Sequence, residues 1–156
     1  MSKSVGNVIL AKHFYEKYGA NVLRYLILNS HYNQVINLQE NLIQQGVDYT
    51  QKITNLLKKV NFYLYLNKIK WTKEKITPSE NVYQEVIYHL SNNLNTIKVL
   101  YRLEKIINFL NKNLVSKKIW SEVEKAINDT HFILNMLGFK FNLLAYDFSD
   151  KLLIKK

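Results

Sequence analysis

Between Gln39 and Leu66 the chain carries a repeat of seven: Leu42, Tyr49, Leu56 and Tyr63. Gly46, Ile53 and Val60 fall between them, giving alternating steps of four and three. That spacing predicts one long helix with a seam against partner helices. Gly46 on the seam lets a neighbour approach closely, at about 1 kcal/mol of helix propensity. The opposite face is polar, with Gln44, Asp48, Gln51, Lys52, Asn55, Lys58 and Lys59. Three more helical periods come after it. The first runs from Pro78 to about Ser91 and buries Val82 or Tyr83, Val86, Ile87 and Leu90. The second, Thr96 to Leu114, buries Val99, Leu103, Ile106, Leu110 and Leu114. The third starts near Ser116, has Trp120, Val123, Ile127, Leu134 and Leu137 inside, and stops at Gly138.

The punctuation agrees with these periods. Thr77-Pro78-Ser79-Glu80 reads as a helix start, with Thr77 as N-cap, Pro78 at the first helical position and Glu80 closing a capping box. Asn95 caps the next helix. Lys68 to Thr77, with Lys70, Trp71, Lys73, Glu74 and Lys75, breaks the period and reads as the longest loop. Ahead of the long helix, Ala11 to Tyr18 is a short amphipathic helix stopped by Gly19. Ala20 to Ser30 is a second, with Val22, Leu23, Leu26 and Ile27 at helical spacing and Arg24 on another face. Residues 33–38 connect it to the long helix, and 139–156 are mixed and expected to cover the bundle's end. No strand pattern competes. The expected fold is an all-α helical bundle, preceded by a loop and two short helices.

Composition narrows the chemistry. At 156 residues and 47% hydrophobic, the chain suffices for one domain with a small appendage and a real core. It has no cysteine, so no disulfide framework and no thiolate metal site. His13, His31, His89 and His131 are scattered and read as packing or surface residues. No apolar run reaches the ~18 residues that span a bilayer, and no signal peptide is visible, so a cytoplasmic protein without a membrane partner is expected. The net charge of +10 favours a polyanionic partner, although Lys-, Asn-, Ile- and Tyr-rich composition also follows from an AT-rich genome. Acidic residues are solitary; Glu122 and Glu124, two apart on a helix, point different ways. There is no carboxylate pair for acid–base work and no Ser-His-Asp or Cys-His set, so the bundle has no catalytic apparatus of its own.

The start of the chain stands apart. Met1-Ser2-Lys3-Ser4-Val5-Gly6-Asn7 is too polar for a core. Read alone, it is a solvated terminus. It also offers an ammonium, two hydroxyls and free backbone N–H groups to an anion, with Gly6 free to turn into the first helix.

The continuation through Tyr18-Gly19-Ala20-Asn21-Val22-Leu23-Arg24 resembles class I aminoacyl-tRNA synthetases. There a Lys-Met-Ser-Lys-Ser loop runs into a short helix and then a Tyr-Gly-Ala-x-x-Leu-Arg helix. Ser30-His31-Tyr32 with Ile36-Asn37-Leu38, Asn93-Leu94-Asn95-Thr96, and Leu137-Gly138-Phe139 are similar to stretches of the cysteinyl-tRNA synthetases. The resemblance spans nearly the whole chain. The loop's usual first lysine would stand just before Met1. The nucleotide-binding fold, its His-x-Gly-His signature and a zinc site lie upstream of that point in the family. A small basic anticodon-reading segment usually comes where this chain stops at Lys155-Lys156. A middle-to-C-terminal piece is therefore expected, with residues 1–38 as signature loop and stem-contact region and 39–156 as a tRNA-binding bundle.

The resemblance implies that Lys3 contacts ATP phosphates and acts catalytically in the intact enzyme, with Ser2 and Ser4 shaping an ATP-binding loop. It implies tRNA(Cys) as partner, ATP as cofactor of the intact enzyme, and zinc only in the upstream part. The piece alone is expected to be a monomer, inactive in aminoacylation. Arg24 either reaches tRNA backbone or pairs with a carboxylate that holds the stem-contact region. Lys52, Lys58 and Lys59 are tRNA-phosphate candidates, against the plainer reading of a solvated face. Lys117 and Lys118, near a helix start where cations are disfavoured, point mildly to an external anion. Tyr63, Tyr65 and Trp71 either stack on bases or fill the core. Two rival readings remain: a free-standing helical module that acts by protein contact, and the equivalent part of a methionyl-tRNA synthetase.

Overall fold

The computed structural model describes residues 11–69, 76–114 and 120–141. Among these residues there are six helices and no strand: α1 (Ala11–Tyr18), α2 (Ala20–Leu28), α3 (Glu40–Leu66), α4 (Glu80–Ser91), α5 (Thr96–Asn113) and α6 (Trp120–Met136). The all-α bundle expected from the periods is the observed fold. Lys3 with Ser2 and Ser4, Lys70 to Lys75, and Lys117 and Lys118 lie outside the described residues.

The main core runs through the long helices. Ile53, Leu56, Leu57, Val60 and Leu64 of α3 meet Val82 and Val86 of α4, Val99, Leu103, Ile107 and Leu110 of α5, and Val123, Ile127 and Ile133 of α6. A smaller cluster of Phe14, Val22, Leu26 and Ile43 fastens α1 and α2 to the front of α3. Each fully buried aliphatic side chain contributes about 1.5–3 kcal/mol.

The buried stripe of α3 is turned slightly from the heptad seam. Ile43, Leu57 and Leu64 are buried, while Leu42, Tyr49 and Tyr63 are only partly so. The reason is that α3 packs against α2 over its first half and against α5 beyond it, and so needs a wider apolar face than a two-helix seam. Gly46 is the point of closest approach. A Cβ there would stand 3.1 Å from Val22 Cγ1 and 3.3 Å from Leu26 Cδ2, so α2 is the neighbour that the glycine admits. In α4 it is Val82 that is buried; Tyr83 is exposed.

The start of α4 departs from the expected capping box. The helix begins at Glu80 with Ser79 as N-cap, and the Ser79 side chain makes no local cap bond. Glu80 accepts from Gln84 Nε2 at 2.7 Å instead of reaching back. The carboxylate at this helix end comes from the other side of the bundle. Asp129 of α6 accepts from Ser79 N at 2.6 Å and from Ser79 Oγ at 2.7 Å. The negative charge beside an N-terminus is favoured by the helix dipole, so a distant residue does what the local box was expected to do. At α5 the expectation holds: Asn95 Oδ1 accepts from Lys98 N at 3.2 Å.

Candidate nucleic-acid interface

α2 organises the front of the molecule, because two separated stretches of sequence are fastened around it. Thr96 Oγ1 at the start of α5 donates to the Leu28 carbonyl at 2.6 Å. Tyr32, just beyond α2, donates to Asn93 Oδ1 at 3.2 Å. The segments 28–32 and 93–96, more than sixty residues apart, therefore form one junction. A second junction closes the other side. Asn21 Nδ2 donates to the Lys140 carbonyl at 2.8 Å, and Lys140 N donates back to Asn21 Oδ1 at 3.0 Å. One helical turn on, the Arg24 guanidinium lies against Gly138, where a Cβ would come within 2.7 Å of Nη1. Gly138 ends α6 with φ +71°, a conformation that suits glycine.

Arg24 Nε is buried and without a hydrogen-bond partner, and among the described residues no carboxylate lies within ion-pair reach of the group. The guanidinium is lodged at the carbonyl end of α6, where the helix dipole favours a cation.

The polar face of α3 is a ladder of amides and ammonium groups. Gln44 Nε2 donates to Asp48 at 2.8 Å and Gln51 Nε2 to Asn55 at 3.0 Å. Lys52 pairs with Glu104 of α5, and Lys59 Nζ donates to Asn111 of α5 at 2.9 Å. Lys58 is exposed. Lys52 and Lys59 thus reach across to α5. Tyr63 stacks on Trp120 at 6.1 Å and belongs to the core margin, in line with the plainer reading, whereas Tyr65 is exposed.

Between α2, α3 and α5 an open cleft of about 480 Å³ is lined by Tyr25, Asp48, Tyr49, Lys52, Tyr101 and Glu104, with Leu100 below. Tyr25 and Tyr49 stack at 4.3 Å. The Tyr49 hydroxyl is buried and lacks a hydrogen-bond partner. Burial pushes this phenol well above its usual range, and the charge on Glu104 adds to the shift. Tyr25 is raised for the same two reasons, burial first. Both stay protonated at neutral pH. A second cleft of about 350 Å³ continues along α3 past Lys52 to Gln51, Asn55, Lys59 and Asn111. The sequence held no sign of the first cleft, because its walls come from three helices.

Among the described residues no group of three histidines, cysteines or carboxylates could hold a metal ion. No helix among the described residues is long and apolar enough to cross a membrane.

Residues 1–48 match the family described as tRNA synthetases class I (C) catalytic domain. A cysteine–tRNA ligase of Mesoplasma florum is 34% identical over 146 residues, which is 94% of this chain and 32% of the relative. One of Mycoplasma mycoides subsp. mycoides is 34% identical over 97% of this chain and 33% of its own length. A probable mitochondrial cysteine–tRNA ligase of Dictyostelium discoideum is 30% identical over 91% of the chain and 26% of its own length. No solved structure matches. The similarity to cysteine–tRNA ligases along more than nine-tenths of the chain, together with the family match over residues 1–48, places the chain among class I aminoacyl-tRNA synthetases. Within that class, it belongs to the cysteinyl-tRNA synthetase family. The chain spans about a third of the length of the curated relatives it matches.

Proposed function

We propose that this chain is the tRNA-binding portion of a cysteine–tRNA ligase and carries the ATP-contacting loop at its front. The observation that supports this most is the similarity to cysteine–tRNA ligases along more than nine-tenths of the chain. In this reading residues 1–38 are the signature loop and stem-contact region, and 39–156 are the helical bundle. The intact, cytoplasmic enzyme activates cysteine with ATP and transfers it to tRNA(Cys). Lys3 stabilises negative charge as the cysteine carboxylate attacks phosphorus and pyrophosphate leaves, and Ser2 and Ser4 shape the loop around the phosphates.

The bundle, as a monomer, braces the tRNA along the polar face of α3. Phosphates lie against Lys52, Lys58 and Lys59, contacts that position the nucleic acid without reading its sequence. Arg24 acts at one remove: it ties α2 to the end of α6 and so sets the angle between the stem-contact helices and the bundle. The charge of +10 supports the same reading.

Replacing Lys58 and Lys59 together by glutamine tests it. Affinity for a tRNA transcript falls, and the slope of log K against log salt becomes shallower by about one unit for each phosphate no longer neutralised. A variant that binds tRNA as tightly as the parent, with the same slope, places the nucleic acid elsewhere.

A further inference from the structure

We infer that the cleft between α2, α3 and α5 receives one unstacked nucleobase bearing an exocyclic amine, held among Tyr25, Tyr49 and Tyr101 with Asp48 and Glu104 as acceptors for the amine. The inference rests on the RNA-binding reading for the source of the base, and otherwise on the cleft alone. Its volume of about 480 Å³ falls in the range of small-ligand sites, about 300–1,000 Å³. Its walls combine stacked phenol rings with a few convergent polar groups. Tyr101 is exposed, and its ring is held by the Lys105 ammonium 4.6 Å from the centroid. Aromatic faces of this kind accept any base.

The polar groups narrow the choice. The Tyr49 hydroxyl is buried, so the polar groups that meet a ligand are the carboxylates. Two carboxylates, Asp48 and Glu104, face one ammonium, Lys52. That balance disfavours a phosphate inside the cleft and favours a hydrogen-bond donor. Asp48 uses Oδ1 for Gln44, which leaves Oδ2 for an incoming amine. The phosphate of the same nucleotide has its place in the adjoining cleft, beside Lys52, Lys59 and Asn111.

The test uses the full chain and free nucleosides, which isolate the base from the phosphate. Cytidine and uridine are titrated separately while the tyrosine ring signals are followed by NMR. Cytidine is expected to shift the rings of Tyr25, Tyr49 and Tyr101 and to bind at least threefold more tightly than uridine, which has a carbonyl where cytidine has an amine. Asp48→Asn narrows that preference. Tyr101→Ala, at an exposed position and checked for intact helicity, weakens cytidine at least fivefold. It also weakens a tRNA transcript at least fivefold without changing the salt slope.

Unshifted tyrosines, or equal binding of the two nucleosides, overturn the inference. Undiminished tRNA binding by Tyr101→Ala overturns it while leaving the RNA-binding reading standing. Cytidine binding in the cleft without any tRNA binding does the reverse: the site stands, and the reading that supplies its base falls.

Discussion

With the chain joined to a nucleotide-binding half, replacing Lys3 by alanine is expected to lower cysteine-dependent adenylate formation about 10²–10³-fold, while tRNA affinity stays within twofold. The magnitude is that of removing one preorganised group aimed at charge that develops in the transition state. Lys3 is the only lysine or arginine from Met1 to Asn7, so none of those residues substitutes for it. The separation of the two readouts matters. In the proposed reading the nucleic acid is braced by the bundle of α3 to α6, fastened to α2, and the phosphate chemistry belongs to the loop. Pyrophosphate exchange measures the first quantity, and transcript binding the second. Adenylate formation at the parental rate removes the phosphate role from Lys3.

The second large effect concerns the bundle. Asp129→Ala is expected to lower unfolding stability by about 2–4 kcal/mol, since it removes charge-assisted bonds to Ser79 N and Ser79 Oγ and leaves the start of α4 without a cap. Asp129 is buried in α6, so water does not replace it fully. Asp129→Asn retains an acceptor and shape but loses the charge, and is expected to recover about half of the loss. Urea midpoints of the three proteins decide it. A change below about 0.5 kcal/mol for Asp129→Ala means that α4 holds its place by apolar contacts alone.

Asp129 also shows where sequence reasoning runs out. Helices α3 to α6 are legible because burial imposes a period, and periods survive in one dimension. The Asn95 cap is legible because its partner, Lys98, is three residues away. The α4 cap is misplaced at Thr77 and Glu80 because its carboxylate stands fifty residues downstream. Gly46 reads as a place of close approach, yet only the fold says that α2 is what approaches. Lys52 looks like a free cation of a polar face; Glu104, from another helix, partners it. The cleft around Tyr49 is invisible for the same reason. The family stretches, by contrast, are recognisable as strings before their purpose is known. Tyr32 with Asn93, Leu28 with Thr96, and Arg24 with Gly138 turn out to be the sides of joints around α2. Residues that read as signatures are here fasteners between the front helices and the bundle.

The central claim, that this bundle holds a folded RNA chiefly through its phosphates, is tested most directly by titrating a tRNA(Cys) transcript with the full chain across a range of salt concentrations. The account predicts that log K falls linearly with log salt, with a slope of about two to three units for the contacts at Lys52, Lys58 and Lys59. Binding that does not change with salt, or no binding at low salt, contradicts it.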